Sequence, residues 1–187
     1  LAVGSRVLWI PALCAAEAGG RVCLVSRKPL AESSSFHAQG GLAASLDPED
    51  SPARHFQDTM EAGRNLCRAS AVEVLTSEGP AIVDDLIRRG MNFDREADGS
   101  LSLALEGGHS HRRIIHAGGS QTGREITQAL AQMVADSELI EVLEETSATA
   151  LVSDGERCYG VITETGVISS PATLMASGGA AALWRRT

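Results

Sequence analysis

The first 26 residues constrain the fold more than any other part of the chain. A short apolar run, Leu1 to Val3, is followed by Gly4 and then by an Ala-rich stretch, 12–20, that ends in two glycines. A β-branched run, 21–26, comes next. This composition predicts a strand, a glycine turn, a helix that ends at glycine and a second strand. That order is a βαβ unit, the building block of parallel sheets covered by helices.

Three helices are predicted in the middle of the chain from their N-terminal sequences. A serine N-cap followed by proline opens the first, and a Ser/Thr-x-x-Glu capping box opens each of the others. The residue pairs are Ser51 with Pro52, Ser70 with Glu73, and Thr122 with Glu125. We expect helices from 51 to about 63, from 70 to 90 with a restart near Pro80, and from 122 to about 136. Between the βαβ unit and these helices, 29–41 is predicted to be a loop.

The last 50 residues are predicted to be rich in strands. Short extended runs occupy 139–143, 148–153, 158–163 and 172–176. The segment 154–156 has turn-forming residues, so the two central runs are expected to pair as a β-hairpin.

The composition excludes several classes of function. The chain of 187 residues has 16 lysines and arginines against 24 aspartates and glutamates, with no basic cluster, so nucleic acid is not an expected partner. No apolar run approaches the roughly 20 residues of a membrane-spanning helix, and the start lacks the basic region of a signal peptide. Four widely spaced cysteines form neither a CxxC pair nor a zinc site. These features predict a reduced protein in the cytoplasm with no membrane association and no bound metal.

Four segments contain residues that could contribute chemistry. After the first strand, only Gly4 fits a dinucleotide loop, because Arg6 and Trp9 stand where the second and third glycines should be. Arg27, after the second strand, could meet a phosphate or an adenine, or could be a solvated surface residue. The run 33–41 concentrates hydroxyls, an amide and two glycines, which could enclose a flat polar ligand or form a surface loop. Gly-Gly at 178–179 could bring backbone against a cofactor or form a simple turn.

Glu106 begins the segment with the highest density of charged and histidine side chains. From Glu106 to His116 there are three histidines and two adjacent arginines, Arg112 and Arg113. Metal binding by the histidines is conceivable. The glycines and arginines suit anion binding better, because arginine binds carboxylates in a bidentate manner, although a basic surface turn is an alternative. Glu106 itself could contribute to the recognition of a charged substrate or could only neutralise the arginines.

Taken together and in this order, the motifs resemble the L-aspartate oxidase branch of the succinate dehydrogenase and fumarate reductase flavoprotein family. The resemblance covers the chain from about Ala16 to Leu183 and is most specific in the AQGG and EGGHSHRR sequences. The matching segments are 34–41 (SSFHAQGG), 46–51 (LDPEDS), 58–59 with 62–63, 106–113 (EGGHSHRR), 116–119, 122–123 and 176–179.

The resemblance implies an α/β fold, an incomplete Rossmann-like FAD-binding domain with a small β-hairpin near its C-terminal end. It implies that 1–187 is the N-terminal part of that domain, and that the substrate cap and the C-terminal helical domain are absent. By motif matching, the cofactor site would include Gly4, Ser5, Arg27, Ser34, Ser35, Phe36, His37, Ala38, Gln39, Gly40 and Gly41. Ser34 matches the position of the histidine that carries covalent flavin in respiratory relatives, so the FAD is expected to be noncovalent.

The implied reaction is the oxidation of L-aspartate to iminoaspartate for NAD biosynthesis, with oxygen or fumarate as the electron acceptor. Glu106 matches an acidic residue near the substrate, thought to distinguish aspartate from dicarboxylates without an amine; a carboxylate facing an ammonium suits that role. Because the family's main catalytic residues lie beyond the matched segment, little activity is expected of these 187 residues alone. Two alternatives stay open: a fumarate reductase or succinate dehydrogenase flavoprotein fragment, and a noncatalytic remnant that binds no flavin. The sequence does not predict the oligomeric state.

Overall fold

The computed structural model describes residues 1–4, 9–30, 35–64 and 66–178. Their helices and strands, in chain order, are β1 Ala2–Gly4, α1 Trp9–Glu17, β2 Val22–Val25, β3 Leu42–Ala43, α2 Pro52–Ala62, α3 Ala69–Arg88, β4 Leu103–Ala104, β5 Ile114–Ile115, α4 Thr122–Ala135, β6 Ile140–Leu143, β7 Ala148–Ser153, β8 Cys158–Thr163, β9 Gly166–Ser169 and β10 Leu174–Ala176. Within these ranges, no helix combines the length and apolar character that crossing a bilayer requires.

The chain divides into two compact units. Unit 1 comprises Leu1–Phe36 and Thr127–Thr187, and unit 2 comprises His37–Ile126. The α/β fold and the opening βαβ unit are confirmed, because β1 and β2 pair in parallel and α1 connects them.

Unit 1 contains a parallel sheet and an antiparallel meander. The parallel sheet has the strand order β10-β1-β2-β6, and the meander has the order β7-β8-β9. Val25 of β2 and Val161 of β8 are both almost fully buried and form one apolar cluster with partly buried neighbours from β6 and β9. The predicted hairpin of β7 and β8 is therefore confirmed but incomplete, because β9 pairs with β8 as a third strand.

Unit 2 contains a small antiparallel sheet of order β3-β5-β4 and the two helices α2 and α3. Its buried core includes Val72, Val83 and Leu86 of α3 and both isoleucines of β5. The Ser51 N-cap is confirmed, since its hydroxyl accepts a hydrogen bond from the Arg54 N–H.

The two predicted capping boxes are wrong. Helix α3 begins at Ala69, so Ser70 lies inside it, and the N-cap residue Arg68 makes no side-chain capping bond. In α4 the Thr122 hydroxyl accepts from the Ala117 N–H, while the Glu125 N–H donates to the Gln121 carbonyl. The predicted start of α4 at Thr122 is nevertheless confirmed, whereas α3 begins one residue before Ser70.

The predicted break near Pro80 is also wrong, because α3 continues through it. A proline inside a helix costs about 3 kcal/mol. Burial of an apolar side chain contributes about 1.5–3 kcal/mol, and α3 buries Val83 and Leu86 after the proline on the same face as Val72 before it. The packing of that face offsets the cost of Pro80.

Candidate functional site

In unit 1 the neighbouring strands β1 and β10 end at the same edge of the parallel sheet. The chain leaves β1 toward β2 on one side, whereas β10 lies on the other, so this edge is a topological switch point, where α/β sheets bind ligands. Gly4 is the last residue of β1 and pairs with Ala176, the last residue of β10. The structure thus places Gly4 where a dinucleotide would approach the sheet.

Gly178 follows β10 at the same edge of the sheet. Its φ of +84° lies in the region that favours glycine, and a Cβ built on it would meet nothing within 4 Å. Backbone without a side chain, beside open space, is what a closely approaching pyrophosphate requires. Ser5, Arg6, Ser34 and Gly179 lie outside the described residues.

Trp9 is the first residue of α1 and is fully buried, so its indole belongs to the interior of unit 1. That Arg6 and Trp9 obstruct a dinucleotide loop stays a prediction, because the loop residues 5–8 lie outside the described ranges.

Arg27 is exposed just after β2, as a ribose or phosphate contact would be. The backbone around it is fixed to the neighbouring strand β6, since the Ser26 N–H donates to the Leu143 carbonyl and the Leu30 N–H donates to Glu144 at 2.6 Å. The Arg27 charge also helps to lower the pKa of Glu164, after the larger contribution of hydrogen bonds from Ser147. The Arg27 side chain is therefore an exposed cation on a stretch of backbone that these hydrogen bonds fix in place.

The predicted flavin segment is divided between the two units. Ser35 and Phe36 belong to unit 1, and 37–41 belongs to unit 2. The Gly123 N–H donates to the Ala38 carbonyl, and a Cβ on Gly41 would overlap the Ile115 carbonyl oxygen and approach the Ile114 Cγ2 at 2.5 Å. The second part of this segment is thus held closely against β5 and α4 rather than being a loose surface loop.

Unit 2 contains a cleft of about 630 Å³ that brings together residues from separate predicted segments. Gln39 and Gly40 come from the predicted flavin segment, and Glu106 and Arg112 come from the histidine- and arginine-rich segment. Asp94, Glu96, Ser102, Leu103, Ala104, His116, Gly119 and Ser120 complete its lining. The cleft offers carboxylates and a guanidinium to the same ligand.

Glu106 is half-exposed in this cleft, and its Oε1 atom lies 3.7 Å from the Nε2 atom of His116. Arg112 is also exposed, and its Nη1 atom is 3.4 Å from the Leu103 carbonyl oxygen. Glu106 and Arg112 thus line the same cleft, and each has a different partner, His116 for Glu106 and the Leu103 carbonyl for Arg112. This arrangement suits a ligand that has both an ammonium and a carboxylate group.

Arg113 does not bind an external anion, contrary to the prediction for the arginine pair. Its side chain has no exposed surface and forms a bidentate ion pair with Asp50, with N–O distances of 2.9 and 2.8 Å. Its Nη1 atom also donates to Asp58 Oδ2 at 2.7 Å. A fully buried guanidinium must be compensated by buried counter-charges, and here the protein supplies both of them.

Asp58 connects this arginine to the segment that carries Glu106. Its Oδ2 atom accepts from the Ser110 N–H at 2.7 Å and from the Ser110 hydroxyl at 2.8 Å. Burial would raise the pKa of Asp58, but these hydrogen bonds and the Arg113 guanidinium outweigh burial and hold that pKa below its ordinary value.

His55 is buried next to Arg113. Burial, first, and then the charges of Arg113 and His109 lower the pKa of His55, against the opposing effect of Asp50 and Asp58. Its ring lies 5.7 Å from that of His109. In the ranges that the structure describes, no group of three or more histidine, cysteine or acidic side chains could hold a metal ion.

Asp94 is a cleft residue that the sequence did not reveal. Its two carboxylate oxygens accept from the Gly118 and Gly119 N–H groups at 3.0 and 2.9 Å, and both glycines have positive φ. Consecutive N–H groups in that conformation form a concave anion-binding nest, which here holds a carboxylate of the protein itself. The only signal in the sequence was the Gly-Gly pair after His116, and nothing there pointed to Asp94 as its partner.

The βαβ unit, the switch point of its parallel sheet and the polar cleft define a dinucleotide-binding domain of the flavoprotein type. Residues 10–187 match the family described as FAD binding domain. The chain belongs to this family, the FAD-binding domain of the succinate dehydrogenase and fumarate reductase flavoproteins, as the sequence motifs predicted. FAD is the cofactor that this family indicates.

Two curated relatives and one solved structure show the similarity. An L-aspartate oxidase from Streptomyces coelicolor is 39% identical over 95% of this chain and 32% of its own length. A chloroplastic L-aspartate oxidase from Arabidopsis thaliana is 40% identical over 99% of the chain and 30% of its own length. A quinol fumarate reductase from E. coli has a TM-score of 0.89 and 27% identity, over 98% of this chain and 33% of its own. The chain thus spans about a third of the length of the relatives it matches.

Proposed function

We propose that this chain is part of an FAD-dependent oxidoreductase that oxidises L-aspartate to iminoaspartate. The observation that carries the proposal is the cleft of unit 2, in which Gln39 and Gly40 lie with Glu106 and Arg112. The resemblance assigns the first pair to the flavin and Glu106 to the substrate. A cofactor-contacting segment and a substrate-contacting carboxylate are expected to share one cleft in such an enzyme.

The residues of unit 1 fit an FAD dinucleotide. Gly4 and Gly178 present bare backbone at the switch point, and Arg27 is an accessible cation beyond β2. We propose that these glycines admit the pyrophosphate and that Arg27 contacts the adenosine ribose or phosphate. Noncovalent attachment is proposed from the sequence: Ser34 stands at the position of the histidine that links flavin covalently in respiratory relatives, and a serine there cannot form that link.

Unit 2 would recognise the substrate by charge. Glu106 would accept hydrogen bonds from the α-ammonium of L-aspartate, and Arg112 would bind a carboxylate. Bound FAD would supply two-electron oxidation: it would accept a hydride equivalent from the α-carbon while the ammonium nitrogen loses a proton and the C=N bond forms, and oxygen or fumarate would then take up the electrons. A dicarboxylate without an amine leaves Glu106 unpaired, which provides discrimination.

A fumarate reductase or succinate dehydrogenase function is the second candidate, because the solved quinol fumarate reductase shares this fold. The higher identity of the L-aspartate oxidases favours the first. Some of those relatives are named chloroplastic, so a cytoplasmic location stays a prediction. The noncatalytic alternative predicts no FAD binding and is therefore separated by a binding measurement.

The experiment is a titration of the purified chain with FAD, followed by flavin fluorescence and by the melting temperature. Saturable binding with a raised melting temperature is expected of a ligand that selects the folded state. A matched pair of variants locates the site: Gly178→Val and Gly155→Val both replace a positive-φ glycine with open space around it, but only Gly178 lies just after β10, at the switch point.

Gly178→Val should weaken FAD binding at least about tenfold, which corresponds to about 1.4 kcal/mol, and Gly155→Val should bind FAD as the unmodified chain does. Absence of FAD binding by a chain with native circular dichroism would support the noncatalytic alternative. Equal effects of the two variants would place the cofactor elsewhere.

A further inference from the structure

The nine residues between β4 and β5, 105–113, form a loop that carries Glu106 near one end and Arg113 at the other. The two strands fix both ends, since Leu103 pairs with Ile115 and Ala104 with Ile114. A connection of this length needs further contacts to hold one conformation, because every ordered backbone residue costs about 1–2 kcal/mol of conformational entropy. The direction of the Glu106 side chain therefore depends on what holds the loop.

Asp50, just before α2, holds Arg113 at the end of the loop, and further contacts to the loop come from α2 itself. Asp58 of α2 accepts two hydrogen bonds from Ser110, at the middle of the loop, and a third from Arg113, at its end. A Cβ on Gly108 would lie 3.6 Å from the Ala62 Cβ, so the loop backbone runs close to α2 at that point as well. All of these residues belong to unit 2.

The bonds to Asp58 are charge-assisted, and the one from Arg113 is shielded from solvent, since the Arg113 side chain is fully buried and the Asp58 side chain is 14% exposed. Charge-assisted bonds are roughly twice as strong as neutral ones. Arg113 is itself fixed by its bidentate pair with Asp50, so Asp58 joins the middle of the loop, at Ser110, to an end that is already held.

We propose that Asp58 and Arg113 are positioning residues for Glu106: they fix the loop so that the Glu106 carboxylate meets the ammonium group of an amino dicarboxylate. Selectivity for amine-bearing dicarboxylates then depends on a carboxylate of α2 that does not itself touch the substrate. This inference rests on the proposed function of Glu106 and extends it to the residues that hold Glu106 in position, Asp58 and Arg113. Loss of Asp58 frees the loop and lets Glu106 sample directions in which it binds no ammonium.

The test compares the binding of L-aspartate and succinate to the FAD-loaded chain, followed through the visible absorption of the flavin. Succinate is matched to aspartate in its carboxylates and lacks only the amine. The quantity measured is the ratio of the two dissociation constants. A variant that is only partly folded binds both ligands more weakly by the same factor, so the ratio of the dissociation constants does not respond to a purely structural role.

Glu106→Gln should lower the preference for aspartate about tenfold or more, the value of a hydrogen bond between charged groups. Asp58→Asn should lower it about three- to tenfold, the size of effects transmitted between contacting residues. The double variant should be no less selective than Glu106→Gln alone, because Asp58 acts through Glu106. Asp58→Glu, which keeps the charge, should recover part of the preference.

Asp85→Asn is the matched control, because Asp85 also pairs with arginines within unit 2 but lies on α3, away from the loop. It should keep the ratio within about twofold, the usual independence of distant sites. If Asp58→Asn does not fold, Ser110→Ala removes the hydroxyl bonds of Ser110 to Asp58 and to His111, keeps the bond from the Ser110 N–H to Asp58, and should shift the ratio in the same direction.

The inference is overturned if Asp58→Asn and Ser110→Ala both keep the original ratio while Glu106→Gln loses it. It is also overturned if the effects of Asp58→Asn and Glu106→Gln multiply in the double variant, because that shows independent action. A separate result, FAD binding without any preference of the unmodified chain for aspartate, would refute the proposed role of Glu106 and this inference with it.

Discussion

Replacement of Arg113 by methionine should destabilise the protein more than the loss of any exposed arginine. Methionine keeps an apolar side chain of similar length and removes the charge. The change leaves Asp50, whose side chain has no exposed surface, and Asp58 without their shared cation. Removal of one partner from a buried ion pair costs about 3–5 kcal/mol, because the remaining charge stays desolvated.

That loss is large compared with the total stability of a folded domain, about 5–15 kcal/mol. The assay is urea-induced unfolding at neutral pH, followed by far-ultraviolet circular dichroism, since the helices α2 and α3 both belong to unit 2. Arg89→Met is the matched control. Arg89 pairs with Asp85 at 2.7 Å on the partly exposed side of α3, and such a pair contributes about 0–1 kcal/mol.

The double variant Asp50→Leu with Arg113→Met should be more stable than Arg113→Met alone, because it removes one of the orphaned charges and restores apolar packing. An Arg113→Met variant that loses no more free energy of unfolding than Arg89→Met would refute the argument that burial makes this ion pair indispensable.

Two further predictions concern the same unit. Gly41→Ala should unfold or strongly destabilise unit 2, because a Cβ there overlaps the backbone of Ile115, whereas Gly40→Ala, which has open space, should match the unmodified chain in urea unfolding. For His55 the lowered pKa means that the unfolded chain takes up the proton first as the pH falls. Its contribution to stability is complete above its ordinary pKa of about 6.5 and is lost as the pH falls below that value. His55→Gln should therefore flatten the fall of the free energy of unfolding between about pH 7 and pH 5, and an unchanged slope would contradict this assignment.

Local sequence predicted the elements whose signals are local. The βαβ opening, the Ser51 N-cap and the β7–β8 hairpin are all present because strand-forming runs, a serine before proline and a turn between extended runs act within a few residues. The Ser70 capping box failed because Ser and Glu at that spacing also occur inside a helix, and the Thr122 box failed because the Thr122 hydroxyl binds the Ala117 N–H instead. The third strand of the meander, β9, was missed because it is short and follows a tight turn at 164–165.

The candidate site was predicted in part. The sequence named Gln39, Gly40 and Glu106, and the structure places all three in one cleft. It also named the Arg112 and Arg113 pair as one anion-binding group, but only Arg112 reaches the cleft. The two arginines are adjacent, so they point in opposite directions near the start of β5, and the sequence contains no information on which side is buried.

By itself the sequence determined the α/β class, the family and FAD as the indicated cofactor, because these depend on residue types at fixed spacings along the chain. Only the tertiary structure decided that Asp50 and Asp58 neutralise Arg113, that Asp94 holds the Gly118–Gly119 turn, and that Trp9 is an interior residue. Asp50 is 63 residues from Arg113, and Asp94 is 24 from Gly118. Residues this far apart in the sequence come into contact only in the folded chain. There a buried charge or N–H group requires a partner, and the fold determines which residue provides it.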